Sequence, residues 1–463
     1  MRSSIGSNIF PSILTGRSAT LMALQHHLCQ SQWWTAERLR AEQLRQLAAL
    51  VDFASRAIPF YADRLRAAGL EPGAPLTWQA WSRIPILTRE DVQHAGEALN
   101  PATLPASHGR SGDVASGGST GVPVRMNKSE FANLMWEVIH IREELWHRED
   151  PAGTLVIIAG LPRTLSGAAR EAASTPDGIS FPQWGGIQSS IWQTGPLHMI
   201  DLNQSAEAHV DFILKHAPSY IYTIPSTLRL VLWHCRNRGI TFPGLRAVWT
   251  RSEAVDDALR ELCQETLGVR IVSNYSSAET GYIALQCPTS PALHVQSEFC
   301  LVEILDSNSN PVAPGECGRV IVTPLHNFAS PLLRYEIGDE AEAAEACACG
   351  RGLPLLKRIV GRTLDYLVRP DGQRRRFFFD HYALSKIKAV KEYQAVQRSR
   401  HSIDVLLAVA RPLTEEEISR VRAILFKDIG TGLEITLSYC DRIPRTSAGK
   451  LRPVRSELPQ HGD

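Results

Sequence analysis

Short apolar segments alternate with helical patterns through the middle of the chain. Four of them, residues 155–158, 220–223, 247–250 and 269–272, are almost free of charge. Pro225 and Ser226 follow the second segment and are typical of a helix start, because proline is tolerated at the first helical position. Short buried strands that alternate with helices predict a parallel sheet covered by helices.

A different pattern precedes this region. Residues 35–70 carry leucines at helical spacing, among them Leu39, Leu44, Leu47 and Leu50. This spacing places the leucines on one face and predicts a helical segment that ends near Gly69.

Two further patterns follow the alternating region. Residues 297–345 alternate apolar and polar positions around a turn at 306–311, which predicts antiparallel hairpins. From about Gly361, predicted strands surround a helix at 414–427. We therefore expect an α/β protein with a large, multi-layer N-terminal domain over residues 1–360, with mixed sheets and hairpins, and a small α+β domain over 361–463.

Composition narrows the class of protein. The chain has 463 residues, of which 44% are hydrophobic and 21% charged, as in ordinary globular proteins. A formal net charge of +1 disfavours nucleic acid or an anionic membrane as the main partner, and no apolar run approaches the ~20 residues of a membrane helix. Nine scattered cysteines are an odd number that argues against a secreted disulfide scaffold, so a cytoplasmic location is predicted.

A segment of very small residues stands within residues 115–128, Ala-Ser-Gly-Gly-Ser-Thr-Gly-Val-Pro-Val-Arg-Met-Asn-Lys. Backbone N–H groups and hydroxyls can close around an anion here, because little side-chain bulk intervenes. A Gly/Ser-rich segment alone is more often a solvated connection, so its meaning depends on the motifs that follow. The candidate phosphate ligands are Ser116, Gly117, Gly118, Ser119, Thr120 and Gly121.

Three motifs follow this loop in order. Residues 274–279 (Asn-Tyr-Ser-Ser-Ala-Glu) end in a carboxylate, Glu279, which suits Mg²⁺ beside phosphate oxygens. Asp339 follows a glycine at a predicted strand end and can accept hydrogen bonds from two neighbouring hydroxyls, as on a ribose. Lys450 lies in the predicted flexible loop Pro-Arg-Thr-Ser-Ala-Gly-Lys-Leu-Arg, from which it can pair with developing negative charge.

Two other interpretations compete with an enzyme built on these motifs. Residues 117–121 also match the G-x-S-x-G nucleophile elbow of serine hydrolases, but that motif needs a strong preceding strand, and residues 109–116 contain one valine. The other alternative is an inactive nucleotide-binding module. The joint presence of Glu279, Asp339 and Lys450 disfavours such a module. The serine hydrolase and the inactive module are therefore both remote alternatives.

Together the motifs resemble those of the adenylate-forming superfamily of acyl-CoA synthetases and related ligases. Residues 251–254 (Arg-Ser-Glu-Ala) fit its adenine-side segment, and residues 361–365 (Gly-Arg-Thr-Leu-Asp) fit its interdomain hinge. Residues 55–61 (Ser-Arg-Ala-Ile-Pro-Phe-Tyr) are similar to the phenylacetate–CoA ligase-like branch, including its relatives in capsular polysaccharide biosynthesis. The resemblance spans roughly residues 30–455.

The resemblance implies an ATP-dependent ligase that converts a carboxylic acid into an acyl-adenylate and pyrophosphate and then transfers the acyl group to CoA. Asp339 would bind the ribose, Glu279 would bind Mg²⁺, and a mobile C-terminal domain would supply Lys450 to the carboxylate and the α-phosphate. Catalytic roles thus fall to Lys450, Glu279 and Thr120. Nucleotide-binding roles fall to the 116–121 loop and to Ser252, Glu253, Ala254, Asn274, Tyr275, Ser276, Ser277, Asp339 and Arg362.

Two departures from the family pattern concern the acyl acceptor. Leu364, followed by Asp365, stands where the family's hinge usually has an acid or a lysine. Residues 369–376, which include three consecutive arginines, replace a glycine-containing segment that usually enters the thioester-forming site. CoA is the expected acceptor, and an amine or hydroxyl, as in amide or ester synthetases of specialised metabolism, is the alternative.

Four residues have the chemistry of a metal site. Cys287 and His294 stand seven residues apart, and Cys347 and Cys349 belong to a Cys-Ala-Cys-Gly turn. Three thiolates and one imidazole suit tetrahedral Zn²⁺, and the family branch implies that such a zinc is structural. The alternative of four reduced, unrelated residues is given equal weight.

The identity of the acid is left open. The branch resemblance implies an aryl or arylacetic acid, and Trp184, Gly185, Gly186 and Tyr222 are candidates for its pocket, because aromatics and glycines shape flat apolar cavities. Aromatic residues in such positions are more often part of the core. The expected partners are a small-molecule carboxylic acid, ATP and CoA or another acceptor, and a homodimer is left open.

Overall fold

The computed structural model describes residues 1, 10–115, 124–162, 164–362, 366–368, 370, 374–376, 383–384, 387–429, 433–445, 451–452 and 454–458. The chain divides into two compact units, each discontinuous in sequence. The first unit comprises Met1–Pro151, Gly185–Thr194 and Ser273–Gly361. The second unit comprises Ala152–Trp184, Gly195–Val272 and Arg362–Asp463. The predicted domains 1–360 and 361–463 stay a prediction.

Helices make up most of the N-terminal part of the first unit. The predicted helical segment 35–70 is two helices, because Pro59 lacks the N–H that would continue the first one and occupies the first turn of the second. The α-helices of this unit are Gly16–Ser31, Ala36–Ala57, Pro59–Ala67, Trp78–Ser82, Arg89–Ala95, Glu130–His147 and Gly186–Ile191, with 3₁₀ turns at Gly96–Leu99 and Ala106–His108.

Tyr61, in the helix that begins at Pro59, positions a segment much later in the chain. Tyr61 is fully buried, and its hydroxyl donates to the Pro331 carbonyl over 2.8 Å and accepts from the Leu333 N–H over 3.1 Å. These two bonds fix the segment that leads into the strand containing Asp339.

Hairpins dominate the sheet of the first unit, as predicted. Cys300–Leu305 and Cys317–Pro324 pair antiparallel, and so do Arg270–Ser277 and Gly281–Gln286. A separate two-stranded hairpin joins Ser111–Ala115 to Arg125–Ser129. In spatial order the strands of the larger sheet are Cys300–Leu305, Cys317–Pro324, Tyr335–Ala343, Leu355–Arg362, Leu293–Val295, Gly281–Gln286 and Arg270–Ser277.

A buried ion pair braces the helix Glu130–His147 within this unit. Arg142 is 2% exposed, and its Nη2 lies 3.0 Å from Glu298 Oε1 and 3.0 Å from the Leu28 carbonyl oxygen. Burial by itself would raise the pKa of Glu298, but the Arg142 charge and hydrogen bonds hold that pKa below its usual value. The helix is therefore held against the helix Gly16–Ser31 and the segment around Glu298.

The second unit contains the predicted parallel sheet. The strand Leu155–Ala159 pairs parallel with both Leu197–Asp201 and Tyr220–Thr223, and the latter pairs parallel with Ala247–Thr250. Ile179–Phe181 adds an antiparallel edge. The helices Gly167–Ala173, Ala206–His216 and Pro225–Arg238 connect these strands, and Asp257–Leu267 follows the last of them in the chain.

The residues after Arg362 form a smaller α+β sheet in the second unit. Val390–Ser399 and Ser402–Val409 pair antiparallel, and Glu434–Cys440 and Val454–Ser456 add parallel strands at the two edges. The helix Glu415–Ile429 buries Val421 and Leu425. A two-stranded ribbon joins Tyr366–Val368 to Arg374–Arg376. These elements confirm the predicted α/β class.

Among the described residues, no helix is both long and apolar enough to cross a bilayer.

Candidate active site

The small-residue loop connects the two strands of a hairpin. Ala115 pairs with Arg125 at its base. Ser111–Ala115 is largely exposed, whereas a nucleophile elbow follows a central buried strand, so the hydrolase alternative gains no support. The predicted residues Ser116, Gly117, Gly118, Ser119, Thr120 and Gly121 lie outside the described residues, as do Leu364, Asp365, Lys450 and the side chain of Arg362.

Tyr275 and Asp339, both predicted to bind the nucleotide, are joined directly. The Tyr275 hydroxyl donates to Asp339 Oδ2 over 2.7 Å, and Tyr275 is 7% exposed. A carboxylate offers about four acceptor positions. Asp339 can therefore hold the tyrosine and accept from ribose hydroxyls at the same time.

The predicted position of Asp339 at a strand end is wrong, because it lies within the strand Tyr335–Ala343. The register of that strand shifts between Arg319 and Ile321 of its neighbour, so residues 337–339 oppose a single partner residue. Such a bulge re-aims side chains, and bulges are common beside active sites. The bulge explains how a residue in mid-strand can still serve a ligand.

Glu279 lies in the turn between the strands Arg270–Ser277 and Gly281–Gln286 and is 9% exposed. Arg89 Nη1 stands 3.4 Å from Glu279 Oε1. One protein carboxylate completed by phosphate oxygens is a common ligand set for Mg²⁺, and the Glu279 side chain fits that chemistry.

Two cations near Glu279 were missed by the sequence analysis. Lys128 is 5% exposed, and its Nζ lies 4.9 Å from the centre of the Trp136 ring. Burial lowers the pKa of Lys128 to about 8, although the charge of Glu279 opposes this. Arg89 and Lys128 supply two positive charges that interact with Glu279, and such charges suit an anionic ligand such as a triphosphate.

The sequence contains a local signal for Lys128 but none for Arg89. Lys128 ends the segment that begins with the small-residue loop, so its proximity to that loop could be inferred from sequence. Arg89 has no such local signal. Its position depends on Leu87, whose N–H bonds to the Arg334 carbonyl and whose carbonyl accepts from the Glu336 N–H.

The polar residues before Glu279 are held by neighbours. Asn274 Nδ2 donates to Glu143 Oε1 over 3.0 Å, and the Ser276 hydroxyl donates to Asn274 Oδ1 over 3.2 Å. The Ser277 hydroxyl accepts from the Thr280 N–H over 3.0 Å and thereby closes the turn that contains Glu279. The first unit thus brings together the predicted residues Asn274, Tyr275, Ser276, Ser277, Glu279 and Asp339.

The predicted adenine-side residues lie in the second unit. Ser252 has a φ of 73°, a left-handed conformation that is costly for a residue other than glycine. Glu253 follows it and accepts from the Ser226 N–H over 2.8 Å and from the Ser226 hydroxyl over 3.0 Å. Ala254 is exposed and makes no side-chain hydrogen bond because it has no polar atoms.

The predicted acyl-pocket residues occupy different surroundings. Trp184 is 8% exposed, donates from Nε1 to the Gly153 carbonyl over 2.9 Å and packs edge-on against Tyr220. Its surroundings match the core alternative. Tyr222 is half-buried with the Arg251 guanidinium 4.3 Å from its ring centre. Gly185 and Gly186 belong to the first unit, where both have positive φ. The pocket role of these four residues stays a prediction.

The structure brings together the four predicted metal-ligating residues. The donor atoms of Cys287, His294, Cys347 and Cys349 all lie within 4.8 Å of one another. Cys287 Sγ stands 3.7 Å from Cys347 Sγ, close to the roughly 3.8 Å that separates two thiolates bound to tetrahedral zinc with Zn–S bonds of about 2.3 Å.

The orientation of the imidazole in this cysteine–histidine cluster also fits a metal. His294 Nδ1 lies 3.3 Å from the Leu353 carbonyl, which can only accept a hydrogen bond, so Nδ1 carries the proton. Nε2 is then left with its lone pair, and it points to Cys349 Sγ at 3.3 Å. A backbone carbonyl that fixes the outer nitrogen is the usual support of a metal-bound histidine.

Comparison with known proteins finds similarity to ligases. Residues 370–457 match the CapK C-terminal domain. The phenylacetate–coenzyme A ligase of Thermus thermophilus is 24% identical over 452 residues, which cover 90% of this chain and 96% of that protein. A crystal structure of 2-hydroxyisobutyryl-CoA ligase in its postadenylation state aligns over 92% of this chain and 93% of its own, with a TM-score of 0.70 and 17% identity. The chain is therefore similar to a phenylacetate–CoA ligase over most of its length, and it has the fold of the adenylate-forming ligases.

A second solved structure supports the same fold for this chain. The anthranilate CoA ligase AuaEII in complex with anthranoyl-AMP aligns over 76% of this chain and 68% of its own, with a TM-score of 0.53 and 17% identity. These comparisons confirm the resemblance and the fold predicted from the sequence. The site residues remain predictions, because the matches do not test them one by one.

Proposed function

We propose that the protein is an ATP-dependent, AMP-forming acid–thiol ligase. It would convert a carboxylic acid and ATP into an acyl-adenylate and pyrophosphate, and then transfer the acyl group to the thiol of CoA. The observation that carries this proposal is the arrangement in the first unit, where Tyr275 holds Asp339, Arg89 pairs with Glu279 and the charge of Glu279 acts on Lys128. A site with ribose acceptors and a phosphate-attracting region suits a nucleoside triphosphate.

The chemistry assigns a task to each group. The acid carboxylate attacks the α-phosphorus of ATP, the bond to the bridging oxygen of the pyrophosphate breaks, and an acyl–phosphate anhydride forms. Two anions must approach each other, so catalysis depends on orientation and on compensating positive charge. Asp339 would orient the ribose, and Lys450 would pair with both the carboxylate and the α-phosphate. Mg²⁺, held by Glu279, would supply charge neutralisation at the phosphate oxygens when bound.

The substrate and acceptor are proposed more specifically. An aryl or arylacetic acid fits a homologue whose relatives include a phenylacetate ligase and an anthranilate ligase. CoA is the proposed acceptor. An amine or hydroxyl acceptor is the second candidate, because Leu364 at the hinge and the segment 369–376 depart from the pattern of the CoA-using family.

We also propose that the cysteine–histidine cluster binds one structural Zn²⁺. The donor set, the sulfur separation and the backbone-fixed imidazole support it. Such a zinc would join the segment after Glu279 to the segment after Asp339.

Asp339→Ala is expected to raise the KM for ATP by about 10–100-fold with a smaller change in kcat. Hydrogen bonds to a charged group contribute about 1.5–3 kcal/mol each, and every 1.4 kcal/mol is about tenfold in affinity. The measurement is the ATP dependence of ATP–pyrophosphate exchange. Tyr275→Phe, which removes one hydrogen bond to Asp339 but keeps its charge, should raise the KM only a few-fold. An unchanged KM in Asp339→Ala would disprove the ribose assignment.

The function itself is tested by ATP–pyrophosphate exchange with a panel of aromatic and aliphatic acids in the absence of acceptor. Exchange with one class of acid identifies the substrate class. CoA is then added, and CoA-dependent release of AMP with thioester formation supports the acid–thiol ligase. Release of AMP with an amine, and none with CoA, would favour the amide synthetase. No exchange with any acid, in protein that still binds ATP, would point to an inactive relative.

A further inference from the structure

We infer that Glu253 is a positioning residue that holds the backbone at Leu451, the residue directly after Lys450, in place for acyl-adenylate formation. The inference rests on the proposed function for its catalytic consequence, but its structural content is independent of it. Glu253 belongs to the segment predicted to contact adenine, so the structure suggests a different role for its carboxylate.

The carboxylate of Glu253 joins two parts of the second unit. Its Oε1 accepts the Leu451 N–H over 3.1 Å, and Leu451 directly follows Lys450 in the chain. The same oxygen accepts the Ser226 hydroxyl, and Oε2 accepts the Ser226 N–H. Ser226 is 4% exposed at the start of the helix Pro225–Arg238, so the carboxylate is anchored to a rigid element on one side.

The described residues that flank 446–450 also make contacts within the C-terminal stretch. Arg445 forms a buried ion pair with Glu392, and the Arg445 backbone bridges Leu451. Gln394 Nε2 donates to the Arg452 carbonyl over 2.7 Å. The residues on both sides of 446–450 are therefore tied to the strand Val390–Ser399. Glu253 lies outside this strand, in the residue stretch 195–272, and adds a hydrogen bond to the Leu451 N–H from there.

The geometry indicates that Glu253 fixes the position of a neighbouring group and does not itself react. A carboxylate that accepts a backbone N–H makes a charge-assisted bond, which is stronger than a neutral one. The bond acts one residue from the lysine whose ammonium must meet developing charge, and a displacement of about 1 Å at a reacting group can cost about 10²-fold in rate. Loss of Glu253 should therefore slow the step that needs Lys450 and leave other steps intact.

The test compares the two half-reactions in Glu253→Ala. ATP–pyrophosphate exchange is expected to fall by about 10–100-fold, whereas thioester formation from synthetic acyl-adenylate and CoA should keep the wild-type rate. Glu253→Gln retains an oxygen for the Leu451 N–H and should recover part of the exchange. Glu261→Ala, a substitution of an exposed glutamate in the same unit, is the matched control. Thermal unfolding of each variant establishes that the fold is intact.

A double-mutant comparison separates this role from a direct contact with ATP. If Glu253 acts through Lys450, the variant Lys450→Ala/Glu253→Ala should be no slower in exchange than Lys450→Ala alone. A further loss in the double variant, a purely raised KM for ATP, or an equal loss in both half-reactions would overturn the inference.

Limited proteolysis tests the anchor without any activity. Trypsin cleaves after lysine, and Glu253 holds the N–H of the Lys450–Leu451 bond. Cleavage at this bond in the protein without substrates should be several-fold faster in Glu253→Ala than in wild type or Glu261→Ala, because local opening controls access. Equal cleavage rates would overturn the inference. If even the wild-type protein shows no exchange with any acid, the proposed function fails, while this measurement still decides whether Glu253 anchors the backbone at Leu451.

Discussion

Lys450→Ala is expected to slow acyl-adenylate formation by about 10²–10³-fold or more, because removing one group aimed at developing charge has effects of that size. The attacking carboxylate and the α-phosphate are both anionic, so the ammonium compensates a repulsion that exists only as they approach. The loss should therefore appear mainly in kcat. The measurement is ATP–pyrophosphate exchange at saturating ATP and acid.

Two controls make this result specific to the lysine. Lys215→Ala removes a surface lysine that pairs with Asp177 and should leave exchange unchanged. Thioester formation from synthetic acyl-adenylate should also continue in Lys450→Ala, since that step no longer brings the two anions together. Wild-type exchange in Lys450→Ala would disprove the assignment of Lys450.

Cys347→Ser is expected to lower bound zinc from one equivalent per chain to nearly none and to destabilise the protein. A metal present at 100–1,000 times its dissociation constant stabilises the folded state by about 2.7–4.1 kcal/mol, and that contribution disappears with the site. Metal content is measured by elemental analysis, and stability by thermal unfolding with and without a chelator. A chelator should lower the Tm of the wild type towards that of the variant.

The matched control is Cys29→Ser, which replaces an exposed cysteine outside the cluster. It should keep the zinc and the wild-type Tm. If the wild-type protein contains no zinc, and Cys347→Ser and Cys29→Ser unfold at the same temperature, the four residues are reduced side chains without a metal. The proposed ligase activity does not depend on that outcome.

Local patterns predicted much of the fold. The apolar segment at 220–223 is the strand Tyr220–Thr223, and Pro225 begins the helix that follows it. Alternation around the turn at 306–311 predicted the antiparallel pair of strands that meets there. These predictions succeeded because strand and helix patterns, proline at a helix start and polar turns each depend on neighbouring residues.

Other features depend on contacts between distant residues. The break at Pro59 followed local rules, but the bonds of Tyr61 to the backbone near residue 332 did not. The bulge at residues 337–339 arises from a shift in register against the neighbouring strand. Strand periodicity contains no information on such a shift, so the sequence placed Asp339 at a strand end.

The candidate site likewise combines features that local sequence predicts with features that depend on contacts between distant residues. The sequence by itself determined which residue types are available to bind a nucleotide, an acid and a metal, and the order of these residues along the chain. It could do so because each motif consists of neighbouring residues. Only the tertiary structure placed the Tyr275 hydroxyl on Asp339, Arg89 and Lys128 near Glu279, and the Glu253 carboxylate on the N–H after Lys450. These contacts join residues up to about 200 positions apart, and their partners are selected by packing and charge in the folded chain.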